Sequence, residues 1–161
     1  MERQESEALR RDLLLEQEIN RRLDAVIKRA TQTTLQLDGN RDMEVSQLRN
    51  LLNTAIESRG SIEVVVNFIR YQIARSPRAW GQTSQSFGHQ VIADLRGPIS
   101  TMATEVADKV LPLLKAEADP ELRQDAFARL MQLYLGYLHR TFYFARRVGS
   151  FDSLQEVGGG D

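Results

Sequence analysis

The side chains in this chain best suited to chemistry are arginines spaced along its last apolar-rich stretch. At about 100° per residue, Arg129, Gly136, Arg140, Tyr143 and Arg147 fall within about 40° of a common line on a helix. Between Arg129 and Arg147 no acidic residue shares that line. Guanidinium groups fork onto phosphates, and a tyrosine ring offers a stacking face. A glycine lets a ligand approach the backbone. Such a row suits a phosphate track with one stacking position, and equally a solvated helix face on which three arginines align. The other side of the same wheel gathers Phe127, Leu130, Met131, Tyr134, Leu138, Thr141, Phe142 and Ala145, a wide apolar face that predicts a core helix.

A second basic stretch runs from Asn67 to Arg96. It carries Arg70, Arg75, Arg78 and Arg96 against Asp94 alone, with Trp80 and several Gln and Ser residues. Polar, basic, aromatic-bearing connections often carry contacts. Trp80 and Phe87 also have the character of core plugs, and for Trp80 core packing is the preferred reading.

Groups poised for catalysis are missing from the pattern. His89 and His139 have no acidic residue three or four positions away, and the HExxH, GxSxG, Walker A and GxGxxG patterns do not occur. Gly81, Gly88 and Gly97 are too far apart for a phosphate loop. Glu105 and Asp108 read as a solvated helix face rather than a metal site. The chain has no cysteine, which excludes disulfides, thiolate nucleophiles and cysteine zinc sites. The expectation is a binding protein with no enzymatic activity, metal or cofactor.

The elements that position these residues follow from apolar spacing. A long charged helix is predicted from about Ser6 to Ala30, with a stripe of Leu9, Leu13, Ile19, Leu23, Val26, Ile27 and Ala30. Asp38-Gly39-Asn40 signals a turn. A helix from Met43 to Arg59 follows, with Asp42 as N-cap, Gly60 as stop, and Val45, Leu48, Leu52, Ala55 and Ile56 as buried face. Ser61 caps a helix from Ile62 to Arg75, where apolar spacing overrides the strand-like Val64-Val65-Val66. Ser76-Pro77 ends it, and residues 76–86 are irregular. A short helix spans Phe87–Arg96 and stops at Gly97, and Pro98 begins the next, which Pro112 kinks or breaks. Asp119-Pro120-Glu121 starts the last helix, which runs to Val148. The fold expected is all-α, a single-domain bundle of five to seven helices with a long N-terminal helix. Residues 1–40 are its charged helix and linker, 41–148 its core, and 149–161 a disordered tail.

With 42% hydrophobic and 27% charged residues, the 161-residue chain has a globular composition. Its N-terminus alternates acid and base unlike a signal peptide, and no apolar run reaches the ~20 residues of a membrane span. A cytoplasmic location is the expectation. The net charge of −1 hides a gradient, for residues 41–148 carry 14 basic and 11 acidic side chains between more acidic ends. Arginine outnumbers lysine 18 to 3. That bias suits nucleic-acid contact, and it is also what GC-rich codon usage produces.

Three segments resemble a known family. MEVSQLRNLLNTAIES is similar to a helix start in the small subunit of type III CRISPR effector complexes. IEVVVNFIRYQIAR resembles that family's aromatic and basic helix ending in Ala/Gly-Arg, and FARLMQLYLGYLHRTFYFARR its closing Phe- and Tyr-rich helix. They stand in the family's order and cover Met43 to Arg147. The resemblance implies a helical bundle without nuclease activity, stacked in copies inside a ribonucleoprotein filament. There it would support a guide RNA–target RNA duplex through the target backbone, beside the other effector subunits. Position by position it implicates Arg49 and Arg75. Arg78 comes from the basic connection, and Arg129, Arg140, Tyr143 and Arg147 come from the helical wheel. The long charged N-terminal helix, the scarcity of lysine and the stretch SPRAWGQTSQSFGHQ depart from the family pattern. The alternative expectation is a helical scaffold or adaptor that self-associates or binds protein through its N-terminal helix, with no nucleic acid.

Overall fold

Every regular element in the computed structural model, which describes residues 1–155, is helical, and no strand occurs among those residues. The helices are α1 (Glu2–Asn20), α2 (Leu23–Thr34), α3 (Val45–Glu57), α4 (Ile62–Arg75), α5 (Pro77–Trp80), α6 (Phe87–Asp94), α7 (Ser100–Val110) and α8 (Leu122–Val148). A π turn, Leu95–Ile99, joins α6 to α7 without a break. Counted as rods, with α6 and α7 as one, the described residues form seven helices.

The 27 residues of α8, about 40 Å of helix, form the axis, with α2, α3 and α7 packed along it. The predicted core face is buried at Phe127, Leu130, Met131, Tyr134, Leu138, Phe142 and Ala145. Burial of one such large side chain contributes about 1.5–3 kcal/mol. The helix-propensity deficit of Phe or Tyr is at most about 0.7 kcal/mol, so packing decides. The same inequality makes a helix of α4. Val65, Val66 and Ile69 are fully buried, and the Ser61 hydroxyl accepts from the Val64 amide at 3.4 Å.

Five local expectations are corrected. The N-terminal helix breaks at Arg21–Arg22, where Arg22 leaves helical geometry and its guanidinium donates to the Glu18 carbonyl (2.9 Å) and carboxylate (3.1 Å). The buried register of α1 is Leu15 and Ile19, and Leu9 and Leu13 lie 61% and 55% exposed. Residues 1–40 are no separate segment, because Ile19, Val26, Ala30 and Leu37 belong to the same core as α8. In α3, Glu44 rather than Asp42 caps the helix, in a reciprocal box with Gln47. Its buried positions are Leu48, Leu51 and Ala55, and Ile56 is half-exposed. Gly97 does not stop a helix and Pro98 does not start one. The wider π turn carries the chain past a proline that lacks an amide donor, with Leu95 and Ile99 buried on either side.

The fifth correction concerns the tail. Gly149 takes a left-handed φ of 78°, and the amides of Gly149 and Ser150 both donate to the Ala145 carbonyl. The chain turns back, and Phe151 is buried 6.4 Å from the Phe142 ring. A tight turn, Asp152–Leu154, follows. Residues 156–161 of the predicted disordered tail lie outside the described residues. The expectations that hold include the end of the α7 rod at Pro112, in the turn Leu111–Leu113, and the core role of Trp80 and Phe87, whose rings pack 5.8 Å apart.

One carboxylate sits inside. Asp94 is buried and accepts from the Thr33 and Tyr134 hydroxyls, both at 2.5 Å, and from Gln90 Nε2 at 2.8 Å. Arg29 Nη1 lies 3.7 Å away. Burial, then the Asp94 charge, pushes the Tyr134 hydroxyl well above the ordinary tyrosine range, so it stays a donor. This network ties α2, α6 and α8 together.

Candidate nucleic-acid interface

Two hydrogen-bonded ends fix where the arginines fall. Near one end of α8, Gln124 Nε2 donates to the Gly60 carbonyl at 2.6 Å. Gly60 has φ +88°, and a Cβ there would stand 2.6 Å from that of Ala128, so the α3–α4 turn runs hard against α8. Near the other end, Arg146 donates to the Asn40 and Met43 carbonyls and lies 4.9 Å over the Phe142 ring. Helix α3 therefore runs antiparallel to α8, and its start shares an end of the bundle with the last turns of α8. Helix α4 doubles back along α3, so Arg75 returns to that end. Asn40 completes the tie. Its carboxamide nitrogen donates to the Arg78 and Ala79 carbonyls, and its oxygen accepts from the Asp42 and Met43 amides.

One end of the bundle thus gathers Arg49, Arg75, Arg78, Arg140, Tyr143 and Arg147. All are exposed, Tyr143 at 48%. None of these five arginines has a carboxylate within 4.0 Å among the described residues. The arginine–acid pairs lie elsewhere. Arg11 pairs with Asp119 (2.6 Å) and Asp125 (2.7 Å), and Arg22 with Glu18 and Glu105. Arg29 pairs with Asp94, Arg96 with Glu63 and Arg129 with Glu16. Arg140 lies 5.9 Å over the Tyr137 ring, an arrangement that leaves its donors outward.

The helical-wheel line is interrupted. Arg129 stands 11 residues, about 16 Å, from Arg140, and its guanidinium meets Glu16 of α1 at 3.3 Å. Between them Gly136 is buried, with Leu133 and Tyr137 half-buried against the core. A wheel drawn on α8 alone could not register α1 lying across its first half. Arg129 belongs to an ion-paired end, where Arg11 also holds the Asp119 carboxyl below the usual carboxylate range. Arg96 leaves the basic stretch in the same way, through Glu63, and Asp94, the one acid of that stretch, is internal.

The sequence reading missed Tyr71, which is 59% exposed on α4 one turn before Arg75. The spacing of four was the available signal. It also missed Arg146, the clamp that sets the register of α3 on α8.

His139 lies in the seam between Arg49 and Arg140. Burial, then those two cations, pushes its imidazole below the ordinary histidine value, and its Nε2 is buried with no hydrogen-bond partner among the described residues. The unfolded chain, at about 6.5, binds the proton more readily, so acid favours unfolding. Stability linked to neutral His139 is whole above about pH 6.5 and declines as pH falls toward the folded value. His139→Gln is expected to flatten the fall in melting temperature between about pH 7.5 and 5. An unchanged slope in that variant would assign the titration elsewhere. The Asp119 carboxyl, which Arg11 holds below the usual carboxylate range, lies on the acid side of this window.

Among the described residues no group of His, Asp and Glu side chains has metal-holding geometry, and no helix is long and apolar enough to cross a membrane. No protein-family model matches the chain, and none of the curated proteins or solved structures compared with it does either.

Proposed function

We propose that this protein is a non-catalytic small subunit of a type III CRISPR interference ribonucleoprotein, supporting the guide RNA–target RNA duplex through sequence-independent backbone contacts. The observation that carries the reading is the gathering of Arg49, Arg75, Arg78, Arg140 and Arg147 at one end of the bundle, exposed and without carboxylate partners among the described residues. Ion pairs, by contrast, fill the other end. Unpaired guanidinium groups on a rigid helical frame neutralise phosphates without reading bases. The resemblance of three segments to that small subunit names the setting, with guide and target RNA, other effector subunits and further copies of the chain as partners in the cytoplasm.

The test is anisotropy of labelled single-stranded RNAs of unrelated sequence over a salt series. Binding is expected to be weak, equal among sequences and steeply weakened by salt. Neighbouring subunits would raise it by avidity. No binding at low salt would reject the reading.

A second reading rests on Leu9 and Leu13, adjacent on α1 and more than half exposed. They favour a protein contact through α1, either with another copy or with an adaptor's target. Deleting residues 1–40 would strip core residues, so the discriminating variant is Leu9→Glu with Leu13→Glu. Loss of self-association in light scattering, with no RNA bound by the parent chain, would favour the adaptor.

A further inference from the structure

The stretch 76–87, which has no counterpart in the family resemblance, builds a concavity of about 330 Å³ between the turn after α2, α5 and the start of α6. That volume lies in the range of small-ligand sites. Its rim carries the carboxamides of Gln36, Gln82 and Gln85, all exposed and none bonded to another described residue. Arg78 stands on the same rim and also lines the neighbouring groove with Arg75. The floor is fixed, because Trp80 and Phe87 are locked in the core and Asn40 binds the backbone of α5. Trp80 Nε1 and His89 Nδ1, the latter 3.1 Å from where a Cβ on Gly81 would stand, are buried with no hydrogen-bond partner among the described residues.

We infer that this concavity takes one unpaired nucleobase of the RNA strand whose phosphates lie on Arg75 and Arg78. The inference rests on the RNA reading above and deepens it. A phosphate held by the two arginines puts the attached nucleotide at the rim. Three free carboxamides can then face the base edge. Each offers an acceptor and a donor and can turn over to exchange them. Such a rim accepts any base, which keeps binding independent of sequence. No carboxylate among the described residues lines the concavity, and Asp42 is the one acid in the groove of Arg75 and Arg78.

The chain carries its own reporter, since Trp80 is its single tryptophan. The full chain would be titrated with short oligouridylate, oligoadenylate and a matched oligomer of abasic ribose phosphates, recording anisotropy of the RNA and emission of Trp80. Base-bearing oligomers are expected to change Trp80 emission with the midpoint seen in anisotropy. The abasic oligomer should bind more weakly and leave the emission unmoved. Gln82→Ala with Gln85→Ala should weaken the base-bearing oligomers about tenfold, the scale of two neutral hydrogen bonds, and leave the abasic one unchanged. Both glutamine side chains are exposed and make no hydrogen bond among the described residues, so this variant keeps its melting temperature. Binding of all oligomers with Trp80 emission unmoved, or equal binding of abasic and base-bearing strands, would overturn the base site and leave the backbone reading intact. If no oligomer binds by anisotropy, that reading falls and the base site falls with it.

Discussion

Asp94→Ala is expected to lower the unfolding free energy by about 3–5 kcal/mol, enough to shift the melting temperature by roughly 10 °C for a chain of this size. The variant removes the common acceptor of Thr33, Tyr134 and Gln90 and the counter-charge of Arg29. Thr33 and Tyr134 are buried, so their hydroxyls are left without water or partner, at about 1–3 kcal/mol each. Arg29 is partly exposed and recovers solvation, so its share is small. Tyr134→Phe deletes one donor and leaves the acceptor satisfied by two others, and should cost only about 1 kcal/mol. Chemical denaturation of the two single variants and the double variant measures their coupling. Additive losses would show that Asp94 and Tyr134 act independently and that the network does not hold α2, α6 and α8 as a unit.

Asp94 also shows where sequence reading reached its limit. In the sequence it is the sole acid of a basic stretch. Its burial depends on Thr33 and Tyr134, 61 and 40 residues away, and no local pattern encodes those partners. Apolar periodicity did reveal the core face of α8 and the course of α4, because burial energy exceeds propensity at each position. Capping and proline chemistry located Ser61 and the turn at Pro112. What escaped was tertiary. Leu9 and Leu13 share the predicted stripe with Ile19, yet α1 packs on the face of Leu15 and Ile19 and leaves them exposed. Gly97 and Pro98 look like a stop and a start, and a π turn absorbs both. The candidate interface divides along the same line. Arg49, Arg75, Arg78, Arg140, Tyr143 and Arg147 come from separate sequence arguments, and only the antiparallel register of α3 on α8 places them at one end. Arg129 satisfied the same wheel, but Glu16 on another helix takes it out.

Charge reversal at that end is the second large effect expected. If the proposed RNA reading holds, Arg140→Glu with Arg147→Glu should weaken RNA binding at least about tenfold at low salt. For single-stranded RNA on the isolated chain, the slope of log affinity on log salt should become shallower by roughly 0.7 for each phosphate no longer neutralised. The fold should tolerate the change. Arg140 and Arg147 are exposed and have no carboxylate partner among the described residues, so none of those carboxylates is stranded. Arg147 lies in the last turn of α8, where a cation complements the helix dipole by about 0.3–1 kcal/mol, so melting shifts by a few degrees and circular dichroism is unchanged. Net charge alone would also weaken RNA binding. The control is therefore Arg123→Glu with Arg129→Glu, the same change of four charges at the opposite end. Arg123 bonds only to Ser100 and Thr104, and Arg129 to an exposed Glu16, so that variant also folds. Position predicts a loss for the first pair and near-parental affinity for the second. Equal losses would mean that RNA senses only the total charge, and no particular end of the bundle holds it.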